Sequence, residues 1–176
     1  SITGALALGL DETLCEQTCA RSKLSPYLNS ASSKPFTDHG MRPAMLLAAR
    51  DAAGAKQLID RGIRSDGKLG LRGGPPVVAH FVATTDAARN VRALLYPAPQ
   101  QIRRLGVDVQ VDAHGAPAHA ERVLLYQIGL ASVPHIDQIG WADGALADHL
   151  TSFGGQLERT GGSQMSVLDW IEAGAT

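Results

Sequence analysis

Asp148, His149, Thr151 and Ser152 fall within five residues of one another, just before the pair Gly154-Gly155. An acid, an imidazole and two hydroxyls are the groups from which hydrolases assemble an orienting acid, a base and a nucleophile. Adjacency argues against that use here. Asp148 and His149 point to opposite faces of a strand, and triads are built from distant segments. The structural alternative has Asp148 and Ser152 bonding loop backbone and His149 partly buried. If the stretch binds a ligand instead, its donors are Thr151, Ser152 and backbone amides, joined by Thr85 and Asp86 from another strand end. His149 is then the group able to change charge near neutral pH.

Other chemistry-bearing residues give weaker signals. Cys15 and Cys19 are the two cysteines of the chain, spaced Cys-Glu-Gln-Thr-Cys in a polar segment. A local disulfide in an oxidising compartment is the first reading, with a pair of free thiols as the alternative; a redox pair or a zinc site lacks the usual spacing and ligands. His114 and His119, with Asp112 and Glu121 nearby, could hold a metal weakly, but read as exposed loop histidines. His80, inside an apolar run, reads as a hydrogen-bonded core imidazole. Arg50, Arg89 and Arg92 could hold an anion near strand ends, or make ordinary helix-surface salt bridges. The loop from Gly67 to Gly74 has neither a Walker nor a dinucleotide fingerprint. No metal set and no cofactor are expected.

Positioning these groups falls to alternating apolar runs and amphipathic segments. Residues 44–49 (Ala-Met-Leu-Leu-Ala-Ala) read as a doubly buried strand, followed by Asp51 as N-cap of a helix over 52–63 with Ala55, Leu58, Ile59 and Gly62 on one face. After a loop over 65–76 comes a strand at 77–83. Thr84-Thr85-Asp86 then caps a helix at 87–96, with Val91, Leu94 and Leu95 inward and Pro97 and Pro99 ending it. Residues 107–112 alternate, as expected of an edge strand with one wet face, and 123–130 read as a buried strand. A last helix runs from Gln164 to Ala173, with Met165, Leu168, Trp170 and Ile171 apolar and Gly174 as its left-handed cap. The expected fold is α/β, a mostly parallel sheet with helices on both faces, doubly wound or caspase-like. Its domain is residues 41–176, preceded by an irregular segment over 1–40. Function belongs at the carboxyl ends of the strands, and Asp148 to Gly155 should close a central one. The chain reads as cut at both ends, so the remainder of its own polypeptide or an assembly partner is expected to complete it.

A length of 176 residues suits one ordinary core. The net charge of −1 and the 5% aromatic content give no basic, stacking surface for nucleic acid. No apolar run is long enough for a membrane span.

Four segments together resemble a bacterial family of exported proteins: residues 42–51, Ser65-Asp66-Gly67, residues 85–92, and Asp148–Gly155 with Gln164–Thr176. The Cys15/Cys19 region before Ser25-Pro26-Tyr27 is similar to that family's cysteine loop. The resemblance implies a periplasmic or secreted protein but no reaction. A more distant likeness is to gingipain and caspase-like cysteine peptidases, which share alternating β and α units and an Ala-Gly-Ala turn. Where those enzymes place a His-Gly, this chain has Ile128-Gly129-Leu130; where their nucleophilic cysteine stands it has His149, Thr151 and Ser152. That implies a shared scaffold without the Cys/His dyad, acting in binding or assembly. The alternative is a hydrolase whose remaining catalytic residues lie outside this segment.

Overall fold

The computed structural model describes residues 6–9, 25–44, 47–68, 75–102, 105–113, 119–158 and 162–176. Cys15, Cys19, His114 and most of the glycine loop lie outside them. The chain forms two compact units, Ser1–Leu47 and Ala48–Thr176.

In the first unit, a turn at 26–29 leads to the short helix α1 (Pro35–His39), closed by Gly40 in the left-handed region. Side chains staple it: the Ser30 hydroxyl meets Nε2 of His39 at 2.9 Å, and the Arg42 guanidinium lies 4.7 Å over the Phe36 ring.

The second unit holds helix α2 (Ala52–Ser65), strands β1 (Val77–Val82), β2 (Gln100–Ile102), β3 (Val107–Asp112), β4 (Ala120–Ile128) and β5 (Ile139–His149), and helix α3 (Val167–Ala173). The strands form one sheet in the order β2-β3-β1-β4-β5. β1, β3, β4 and β5 run parallel and β2 pairs antiparallel with β3. The mostly parallel α/β sheet is therefore as the apolar runs imply.

Several elements differ from the sequence expectation. Among the described residues of the 44–49 run none is in a strand. Six apolar residues suit a strand or a connector alike, and here the run ends at once in Asp51, whose carboxylate accepts the Gly54 amide at 2.8 Å and starts α2. Residues 87–96 form a turn and then a six-residue 3-10 helix, Asn90–Leu95, rather than an α-helix. Asp86 holds the Ala88 and Arg89 amides at 3.1 Å each and Asn90 holds the Thr84 amide, a local network that competes with helix. Val91, Leu94 and Leu95 consequently face outward, at 55, 92 and 84% exposure. β3 lies one place in from the edge because β2 covers it, and β5 is an edge strand rather than a central one. Parallel β4 and β5 are joined by residues 129–138, which hold only a single 3-10 turn, Ile136–Gln138.

Most of the core lies on one face of the sheet, with Ala79 and Val109 buried on the other. Val82, Val123, Ile128 and Ala145 are fully buried, with Tyr126, Leu168 and Trp170 nearly so. Each large side chain sealed there contributes about 1.5–3 kcal/mol. Tyr126, Trp141 and Trp170 meet edge-on or tilted, with centroids 5.7–6.2 Å apart. α3 delivers Trp170 and is well punctuated: Ser166 and Asp169 form a capping box, and Gly174 takes φ 117° at its end. A Cβ at Gly174 would stand 2.9 Å from Trp141 Cδ1, so this glycine also lets the helix end close on the indole.

Candidate functional site at the carboxyl rim

Parallel register aligns the strand ends, Val82 with Ile128 and Ile128 with His149. The rim above them is the edge at which parallel α/β sheets generally carry their sites. It is tied across by Thr84, whose hydroxyl donates to the Gly129 carbonyl at 2.7 Å. Gly129 permits that approach, since a Cβ there would stand 2.7 Å from the Arg89 carbonyl oxygen and 2.8 Å from Asn90 Cα.

Asp148 and His149 point to opposite faces, as alternation requires. On the core face, His149 Nδ1 takes the Trp170 indole N–H at 2.8 Å, and Nε2 lies 3.1 Å from the Met165 carbonyl. Burial pushes the imidazole pKa down, outweighing the opposite pull of the Met165 carbonyl and of Asp148 and Asp169. On the other face, Asp148 pairs with Arg92 and accepts from Gln127 Nε2 at 2.9 Å. Asp148, His149 and Ser152 are thus not brought into a relay, because both nitrogens of the ring are already used.

The ligand donors divide similarly. The Thr151 hydroxyl donates to Gln164 Oε1, which also accepts the Ser152 amide at 2.9 Å. Ser152 itself is exposed, as is Thr85. Asp86 makes an ion pair with Arg89 at 2.9 Å. Desolvation pushes its carboxyl pKa up, but the Arg89 guanidinium and the Arg89 and Ala88 amides outweigh this and hold it below the ordinary range. Each proposed anion-binding arginine has an acid: Arg50 has Asp169 and Glu172, Arg89 has Asp86 and Arg92 has Asp148.

Asn90, Arg92, Gln127, Gln164 and Trp170 complete the rim, and the sequence singles out only Arg92 and Trp170 among them. The three amides look like ordinary polar residues until the strand order sets them beside Thr84, Asp148 and Thr151.

A second ionisable pair sits on the core face, between strands adjacent in space but not in sequence. His80 Nδ1 lies 2.8 Å from Asp112 Oδ2, with the His80 side chain 7% exposed. His80 is thus the hydrogen-bonded core imidazole expected. Its Nε2 has no hydrogen bond among the described residues and is not one of the sealed, unpartnered polar atoms. His119 meets Glu121 at 3.1 Å, and no group of three metal-ligating side chains occurs among the described residues. At the opposite, amino end of β4 and β5, an open cleft of about 560 Å³ is lined by Glu121, Arg122, Asp137 and Trp141.

No helix of the described residues is long and apolar enough to cross a membrane. Compared with known family models, curated proteins and solved structures, the chain matches none.

Proposed function

We propose that this chain is a binding or assembly domain of an exported bacterial protein, built on a caspase-like scaffold and lacking the Cys/His dyad. The observation that carries the reading is the contrast between the rim and the surface beside it. At the rim, Asp86, Asp148 and His149 are all spent on partners within the fold. Beside it, Val91, Leu94 and Leu95 on the 3-10 turn and Leu146 on β5 stand 55–92% exposed. Arg92, within the same turn, reaches Asp148, two residues past Leu146. Apolar side chains this bare suit burial against a partner better than solvent.

Chromatography and sedimentation test it. The chain alone should self-associate or bind hydrophobic dye, and Leu94→Asp with Leu95→Asp should yield a monomer of unchanged fold and little dye binding. A parent chain that is already monodisperse and dye-silent overturns the reading.

A hydrolase is the second reading, favoured by the His80–Asp112 pair, since a carboxylate on Nδ1 leaves Nε2 as the proton acceptor. Turnover of fluorogenic esters or peptides that disappears in His80→Gln, with fold retained, would establish it.

A further inference from the structure

We propose that the outer edge of β5 from Ala147 to His149 is a docking line for one extended strand of a partner polypeptide, which deepens the binding reading above and rests on it. β5 ends the sheet, and its inner side is paired with β4. Which peptide groups face out is fixed by one bond: the Thr176 amide donates to the Ala145 carbonyl at 2.8 Å from the side away from β4. Peptide groups of a parallel strand alternate sides, so those of Ala147 and His149 share the outward direction while those of Leu146 and Asp148 face β4. Among the described residues, no backbone or side-chain group takes the outward amides and carbonyls of Ala147 and His149. Below them the edge is closed, with Thr176 on Ala145 and Arg64 on Asp143.

An unpaired edge of this kind is completed by strand addition, in which main-chain bonds give affinity and alternate side chains give specificity. The chemistry of the occupant follows from the neighbours. On the face away from the core, the added strand passes Leu146, 61% exposed, and then Asp148, which already has Arg92. The fitting strand carries an apolar residue beside Leu146 and an uncharged polar one beside Asp148. A second copy of β5 is a poor occupant, because Thr176 fills the place opposite Ala145 that an antiparallel β5 would need.

Residue-resolved amide exchange on the full chain at low concentration tests this, with a capped hexapeptide of alternating threonine and valine as probe. Without peptide, the Ala147 and His149 amides should exchange about a hundredfold faster than those of Leu146 and Asp148. With peptide they should slow, and Ala147→Pro, which removes only an outward N–H, should abolish the slowing while Leu146 and Asp148 stay protected. Three results would overturn the proposal: Ala147 and His149 protected in the monomer, protection that rises with protein concentration alone and so identifies a second copy, or an open edge that the peptide does not slow. None of these alters the dye and sedimentation result for Leu94 and Leu95, so the broader reading stands or falls separately.

Discussion

The Trp170 indole N–H points at Nδ1 of His149, 2.8 Å away, while Nε2 of the same ring faces the Met165 carbonyl. An indole can only donate and a carbonyl can only accept. The ring is therefore neutral with its proton on Nε2, and a second proton would set two N–H groups against each other. This pair locks α3 to the end of β5, and it makes the most base-like residue of the rim a structural one.

Acid should therefore weaken the fold. The folded His149 pKa is depressed by burial below the ordinary 6.5, so the unfolded chain takes up this proton first as pH falls. Stability is complete above about pH 6.5 and declines as the pH drops below it. Urea midpoints between pH 7.5 and 5 should show the decline. Trp170→Phe should cost about 1–3 kcal/mol at pH 7.5, yet flatten the profile, because the vacated Nδ1 can then accept the proton. A Trp170→Phe profile parallel to the parent's would detach the acid sensitivity from this pair.

Gly129 is the tightest point of the rim. A Cβ there meets the Arg89 carbonyl oxygen at 2.7 Å and Asn90 Cα at 2.8 Å, both backbone and unable to rotate away. Gly129→Ala should destabilise by about 1–3 kcal/mol and release the Thr84–Asn90 turn, seen as faster exchange of the Thr84 amide. Gly155→Ala, with nothing within 4 Å of its Cβ position, should be silent by both measures. Equal effects at the two glycines would exclude the close approach as the cause.

The legible parts of this fold are those whose signal is local. Strands 77–82 and 107–112 are legible because β-branched runs and alternation are properties of the segment itself, and α3 because Met165, Leu168, Trp170 and Ile171 give it an apolar face and Gly174 a left-handed end. β5 is not legible beyond its last residues, because Gly140, Asp143, Gly144 and three alanines dilute the alternation. The segment 90–95 reads as an inward helix because its apolar spacing fits 3.6 residues per turn, while Asp86 and Asn90 impose a tighter path. At the site, the separation of Asp148 from His149 follows from strand alternation alone. Their partners Arg92, Gln127 and Trp170 depend on strand order and helix placement, which no spacing encodes.

The His80–Asp112 pair makes a prediction about proton position. Asp112 Oδ2 lies 2.8 Å from Nδ1, so the neutral ring should carry its hydrogen on Nδ1, the less common tautomer. Nitrogen chemical shifts of labelled histidine should report it, and Asp112→Ala, which removes the acceptor, should let the hydrogen return to Nε2. Retention of the Nδ1–H form in Asp112→Ala would mean that another group sets the tautomer.

Arg61 should matter more than its neighbour Arg64, although Arg64 makes the conspicuous ion pair. Nη2 of Arg61 donates to the Ile171 and Ala175 carbonyls, each at 2.9 Å, so one nitrogen satisfies two acceptors at the end of α3. Burial pushes its pKa down, aided by Arg64, the mark of a cation spent on holding two elements together. Arg64 instead pairs with Asp143 at the surface, where solvent screens the attraction. Arg61→Ala should cost about 1–3 kcal/mol by stranding the Ala175 carbonyl, the Ile171 carbonyl keeping the Gly174 amide, and should speed exchange of the Ala175 and Thr176 amides, the latter being the one that reaches Ala145. Arg61→Lys should recover part of the loss, and Arg64→Ala should leave the unfolding midpoint nearly unmoved. If Arg61→Ala and Arg64→Ala shift the midpoint equally, or the Thr176 amide keeps its protection in Arg61→Ala, the α3 terminus is held by packing on Trp141 alone and the two-carbonyl bridge is incidental.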